Sequence, residues 1–169
     1  KFEQQIILGT REEDTTNKRR SFGGLDFFIA TGVDSSTTTL TDALLLTQLQ
    51  NSFNRGGNVD LLLVGGTQKK LISAFDASKI SLARDDRIRG SVVDFYDSDF
   101  GRVYIVLDRW VPLRFLFGVE LQYINIAWFD RFFVEALAKT GDRQQWQLIA
   151  EASMKVRNEK AHFKFTALT

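Results

Sequence analysis

Cysteine is absent from this chain of 169 residues, and proline, histidine and methionine occur once each. Without thiols there is no disulfide framework, no thiolate metal site and no cysteine nucleophile, so a packed core must hold the fold unaided. With His162 as the sole histidine, a multi-histidine metal centre cannot be built, and an acyl-transfer triad would have to use that one residue. Neither sign of charge is in excess, with 22 Lys and Arg against 21 Asp and Glu, so a nucleic-acid polyanion is not the obvious partner. The longest unbroken apolar run, Val103 to Leu107, is far too short to span a bilayer, and no signal peptide opens the sequence. No membrane partner is expected.

What is abundant is phenylalanine. Fifteen Phe beside one Pro describe an ordered, aromatic-rich core rather than a flexible linker. At this length area scaling buries roughly 70% of the extended chain's surface, enough for one solid core or two small lobes.

The clearest pattern lies between Gln145 and Arg157. Every even position there is apolar (Trp146, Leu148, Ala150, Ala152, Met154, Val156), and Ile149 is the one apolar residue at an odd position. A period of two is that of a strand with one buried face. Wound as a helix, the same residues mix on every side, with Trp146, Ile149, Ala150, Ser153 and Arg157 sharing one. The helix preference of Ala, Gln, Glu, Met and Lys is the weaker signal. Trp146 to Val156 would extend roughly 36 Å, against a radius of gyration of about 15 Å for a compact domain of this size. An elongated subunit whose arm lies along its neighbours fits this, as does a long hairpin within a monomer.

Along the rest of the chain, Phe2 to Leu8 reads as the tail of a helix ending at Gly9, which opens without a cap. The chain is therefore expected to be the C-terminal part of something longer, shortened by proteolysis or by design. Thr10 to Gly24 reads as a polar connector, in which Lys18-Arg19-Arg20 is too small a basic cluster for a nucleic-acid footprint. Leu25 to Ile29 is a short strand candidate and Asp34 to Thr39 a loop. A helix is expected over Leu40 to Asn54, capped by Thr39 with Asp42 three positions on, with Leu45, Leu49 and Phe53 on its apolar face and Gly56-Gly57 as its stop. Asn58 to Val64 reads as a buried strand, followed by Gly65-Gly66 and a helix capped by Thr67 and running to about Phe75. Asp76 to Gly90 reads as an exposed loop. Ser91 to Phe95 and Arg102 to Leu107 form a hairpin around Asp97 to Gly101. Pro112 to Glu120 reads as a bend, with strands over Leu121 to Phe129 and Arg131 to Ala138. No internal repeat is visible.

Two motifs were weighed for chemistry. Strand, Gly65-Gly66 and helix invite a nucleotide, yet neither the phosphate-loop spacing nor the three-glycine dinucleotide fingerprint is present. Asp94, Asp97 and Asp99 imitate a calcium loop, but Asp99 and Ile105 stand where Gly and Glu are required. Paired carboxylates of glycosidase type are available without being grouped. No catalytic, cofactor-binding or metal-ligating residue is assigned, and no cofactor or enzymatic activity is expected.

An ordered series of segments resembles a family of tailed-phage major head proteins. It comprises Glu135-Ala136-Leu137-Ala138-Lys139-Thr140-Gly141-Asp142, then Gln147-Leu148, then Val156-Arg157-Asn158-Glu159-Lys160-Ala161-His162. Upstream, Ala43-Leu44-Leu45, Gly56 to Asp60, Val64-Gly65-Gly66 with Lys69, Lys70 and Ile72, and Tyr96 to Gly101 are similar in the same order. The resemblance implies an α+β fold of the Hong Kong ninety-seven coat type, an axial lobe plus part of a peripheral lobe with long antiparallel strands. It divides the chain into residues 1–24 (spine-helix end and connector), 25–130 (axial-type domain) and 131–169 (peripheral-type strands and returning C-terminal segment). It implies a structural capsid subunit, a homo-oligomer forming pentamers and hexamers of an icosahedral head in the bacterial cytoplasm and touching packaged DNA only non-specifically. Under it, Lys79, Arg84, Asp85 and Arg87 in the exposed loop, and Glu135, Lys139, Asp142, Arg143, Arg157 and Glu159 on the long strands, are the expected inter-subunit contacts. An encapsulin-like compartment is the nearer alternative, and a small-molecule enzyme using the Gly65-Gly66 turn the more distant one.

Overall fold

The computed structural model describes residues 2–9, 13–14, 19–20, 22–75, 80–82, 93–138 and 141–169. In chain order these residues form α1 (Phe2–Leu8), β1 (Glu13–Asp14), β2 (Arg19–Arg20), α2 (Leu25–Phe28), β3 (Val33–Asp34), α3 (Asp42–Asn54), β4 (Leu61–Val64) and α4 (Gly66–Ile72). They continue with β5 (Ile80–Leu82), β6 (Val93–Ser98), β7 (Gly101–Leu107), β8 (Leu116–Val119), β9 (Ile124–Ala136), β10 (Trp146–Val156) and β11 (Phe163–Phe165). Short 3-10 turns precede β9 and β11.

A mixed seven-stranded sheet in the order β3-β11-β8-β4-β7-β6-β5 forms the body. Because side chains alternate across a sheet, its register sorts the core into two layers. One face carries Leu62, Val64, Tyr96, Val103, Ile105, Leu116, Phe163 and Phe165, packed against Leu45 and Leu49 of α3 and Ile72 of α4. The other face presents Phe117 and Val119, with Leu61 and Leu63, to Ile7, Leu25, Ile29 and Met154.

Several sequence expectations give way to this packing. Pro112 to Glu120 is not simply a bend, because Leu116–Val119 is a central strand paired with β4 and β11. All four of its residues are buried, so it shows no alternation to read. Leu25–Phe28 is one helical turn rather than a strand; a short apolar run does not distinguish the two. The cap of α3 is Thr41, whose Oγ1 accepts a hydrogen bond from Leu44 N at 3.3 Å, rather than Thr39, and Phe53 stays exposed beside the Phe100 ring. Gly65, not Thr67, precedes α4. Within the expected connector, β1 and β2 pair antiparallel. Within the expected exposed loop, β5 pairs with β6, while residues 76–79 and 83–90 lie outside the described residues. The hairpin of β6 and β7 forms as expected, turning at Gly101 with φ 124°.

Candidate assembly surface

Beyond the body the described residues build two further sheets of two strands each, the short β1-β2 pair and the long pair β9 and β10. The strand expected from the alternation is present with the bounds Trp146–Val156, and β9 is a single strand of 13 residues where two had been expected. Near the far end Leu137 N donates to Gln145 O at 2.9 Å, and Gly141 supplies a positive φ of 85° in the connection. At the near end Arg157 N donates to Tyr123 O at 2.9 Å.

The register shifts twice. Ile149 faces Phe133, Glu151 faces Asp130, and Ala152 faces Trp128. Each shift places one extra residue on β9, and the second leaves Phe129 out of the pairing. Two single-residue shifts restore the parity that one would have reversed. Even-numbered residues of both strands therefore share a face along the ribbon: Ile124, Ile126, Trp128 and Val134 opposite Val156, Met154, Ala152 and Leu148. Trp128 and Phe132 are in ring contact, with centroids 5.4 Å apart.

This apolar face meets the body only at its root. Met154 is 6% exposed there and belongs to the core cluster that holds Ile7, Phe117 and Val119, against which Ile6, Leu8, Ile124 and Val156 also pack. Further out Leu148 and Val134 are exposed, Trp146 is 62% exposed and Phe129 is 80% exposed. Among the described residues, the face that the alternation predicted to be buried is thus buried only at one end.

A polar junction fixes the root. Glu159, which follows the ribbon, accepts hydrogen bonds from Ala30 N at 3.0 Å, from Thr31 N at 2.6 Å and from the Thr31 hydroxyl. The Thr31 hydroxyl bond holds its carboxyl below the usual range, outweighing the effect of partial burial. Glu120, which precedes the ribbon, is buried; its carboxylate accepts from Asn58 N at 2.7 Å and from the Gln122 amide. Glu120 N donates to His162 Nδ1 at 3.1 Å. The imidazole is fully buried, and burial lowers its pKa from 6.5 to about 4. His162 is therefore a packed, hydrogen-bonded residue.

The residues expected to form contacts fall into three groups. Lys79, Arg84, Asp85, Arg87 and Lys139 lie outside the described residues. Asp142 and Arg143 are exposed at the ribbon's far end, Arg157 is exposed at its root, and Glu135 accepts a cross-strand hydrogen bond from Gln147 at 2.8 Å. Glu159 is engaged within its own subunit. The large apolar residues of β9 were missed, because the two bulges break the alternation that marks β10. The cluster Phe129, Phe132, Phe133 was the available signal.

A Cβ on Gly65 would lie 3.2 Å from Val111 O and 3.4 Å from Pro112 O, so carbonyl oxygens flank the turn at Gly65. Asp97 pairs with Arg102 at 2.8 Å across the hairpin, as a turn acid does.

A family model described as SU10 major capsid protein matches residues 1–169. The chain belongs to that family. Among solved structures, the SU10-type chain is similar to the SrpI encapsulin of Synechococcus elongatus, seen in its holo complex, with a TM-score of 0.61 at 11% identity. The match covers 99% of this chain and 60% of the encapsulin, which shows a shared fold. A virus-like particle from Pyrococcus furiosus matches at a TM-score of 0.44 and 13% identity, over 80% of this chain and 55% of that one. No curated protein matches in sequence. The α+β architecture with its long antiparallel pair agrees with the coat fold implied by the sequence resemblance.

Proposed function

We propose that this chain is the shell-building portion of a phage or prophage major capsid subunit, a structural homo-oligomer of the virion assembled in the bacterial cytoplasm. One observation carries the reading: a two-stranded ribbon exposes aromatic side chains over most of its length, although its root is packed against the body. Such a surface belongs inside an assembly, since contiguous apolar patches on monomers are small.

The mechanism is geometric. The seven-stranded sheet, β11 included, forms an axial-type body, and the ribbon from Ile124 to Val156 a peripheral-type arm that reaches neighbouring subunits. Repeated heterologous contacts close into rings of five or six, and rings into a shell. Asp142, Arg143 and Arg157 stand at the exposed ends of the arm, where ion pairs tune register more than they hold the shell. Lys79, Arg84, Asp85, Arg87 and Lys139 are proposed as contacts on sequence grounds alone. Enclosed DNA is met non-specifically, in keeping with the balanced charge.

Negative-stain electron microscopy of the protein as expressed from its complete gene tests the reading. Rings or closed shells, with nuclease-protected DNA when produced alongside its packaging genes, are expected; dispersed monomers at high concentration would overturn it.

A further inference from the structure

We propose that an extended peptide segment of another protein, carrying an acidic side chain, binds the cleft between the edge strand β3 and helix α3. The inference does not depend on the shell-subunit reading and concerns a different part of the molecule from the ribbon.

β3 closes one end of the seven-stranded sheet and is paired on one side only, parallel to β11. The pairing uses the residues on either side of Val33: Lys164 N donates to Gly32 O at 2.7 Å, and Thr166 N to Asp34 O at 3.0 Å. In a parallel ladder the residue between them turns its own N–H and C=O the other way, so both groups of Val33 face the open edge. An open edge of this kind is a template for one more strand.

A cleft of about 490 Å³ is lined by this edge and by the C-terminal half of α3. Gln48, Asn51 and Arg55 recur there at three- and four-residue spacing and so share one side of the helix, with Asn54 beside them. Val33 is the one apolar side chain of the lining, which does not suit an apolar small molecule. The chain leaves these groups largely unused. Gln48 Nε2 donates to Asp34 Oδ2 at 3.0 Å, and Arg55 Nε to Asn51 O at 2.9 Å. Among the described residues, however, the side-chain amides of Asn51 and Asn54 have no hydrogen-bond partner, and the guanidinium of Arg55 has no carboxylate.

A side-chain amide carries a donor and an acceptor, the same pair that a peptide unit presents. A segment laid between Val33 and Asn51 would have its main chain read from both sides, which is how edge-strand recognition gains affinity while side-chain pockets set preference. Arg55 supplies the preference. Its outer nitrogens complement an acidic side chain on the added strand, whereas Asp34 on β3 is already engaged by Gln48 and by Ser36 N.

Main-chain recognition tolerates sequence, so a generic strand serves as the probe: a fluorescein-labelled heptapeptide of alternating threonine and valine with a central aspartate, and its counterpart with a central lysine. Fluorescence anisotropy of each with the complete protein is the test. Saturable binding of both is expected, on the order of fivefold tighter for the aspartate peptide. Arg55→Glu should invert that preference, and Asn51→Ala should weaken both peptides by about tenfold without changing it. Absence of saturable binding up to millimolar peptide would overturn the proposal, as would an R55E variant that keeps the parental preference or an N51A variant that binds as the parent does. Binding by the dissociated protein that disappears on self-association would assign the cleft to a neighbouring copy of this chain and overturn the foreign segment. Dispersed subunits that bind the peptides as expected would support this inference even where the shell reading fails.

Discussion

Met154 and Trp146 lie on the same face of one strand, eight positions apart, and Met154 is 6% exposed where Trp146 is 62% exposed. Stability of the isolated subunit therefore depends on one and not the other. Met154→Ala opens a cavity in the cluster between the ribbon root and the body and is expected to cost about 2–4 kcal/mol. Trp146→Ser is expected to change it by no more than about 0.5 kcal/mol. Urea denaturation of the dissociated protein separates the two, and equal losses would show that the far end of the ribbon is packed.

Gly118 and Phe163 are cross-strand partners on the buried α3-facing side of the sheet, and the ring lies where a side chain at Gly118 would be. A Cβ there would lie 2.3 Å from two ring carbons of Phe163. Gly118→Ala is expected to destabilise by about 2–3 kcal/mol through overpacking of a rigid core. Adding Phe163→Leu to that variant should recover part of the loss, so that the two changes are non-additive in a double-mutant cycle. Strict additivity would mean that the sheet relaxes around the new methyl group.

Glu159 is expected from sequence as a contact between subunits, and within its own chain its carboxylate accepts bonds from Ala30 and Thr31. Glu159→Ala removes a charged acceptor from two backbone N–H groups and is expected to lower the stability of the unassembled protein by about 1–2 kcal/mol. Because the folded carboxyl is held below its ordinary value, this stabilisation is present above that value and is lost as pH falls through the folded one. Thermal melts of E159A that match the parent at neutral pH would return Glu159 to a purely intermolecular role.

His162 gives the fold a second acid-sensitive point at higher pH. Its Nδ1 accepts from Glu120 N, which places the neutral ring's proton on Nε2, a buried atom with no partner among the described residues. Protonation would set an N–H against the Glu120 N–H and bury a charge, with the Glu159 carboxylate only partly compensating. A histidine whose folded pKa is depressed contributes stability that is complete above 6.5 and lost as pH falls toward about 4, worth up to about 3 kcal/mol. His162→Gln keeps an acceptor for Glu120 N without a titrating ring. Its denaturation midpoint should vary less between pH 7 and 4 than that of the parent; parallel pH profiles would show that the acid response lies elsewhere.

Legibility in the sequence followed burial. The ribbon strand β10 was readable to within one residue at each end because one of its faces is apolar and the other polar, the condition under which a period of two appears. The same rule hid β8, whose Leu116, Phe117 and Val119 are covered from both sides, and α2, too short for any period to develop. On β9 the alternation was present, but two bulges displaced it, so one strand looked like two. The pairing between β9 and β10, which assembles the candidate surface, is a long-range relation that neither segment records alone. The partners of Glu159 within its own chain were hidden for a similar reason, since they lie some 130 positions away.

Asp142 and Arg143 distinguish assembly from folding, because both are exposed at the far end of the ribbon, away from the core. Exchanging their signs, Asp142→Lys with Arg143→Glu, preserves the net charge and removes no packed atom. Monomer stability should stay within about 0.5 kcal/mol of the parent, and any effect on assembly should act through encounter and register, growing as salt is lowered. The expected readout is slower shell formation at low ionic strength, followed by light scattering, with the difference shrinking at high salt. A variant that assembles at the parental rate under both conditions would remove these two residues from the interface, leaving the apolar stripe of the ribbon to bring subunits together without electrostatic guidance.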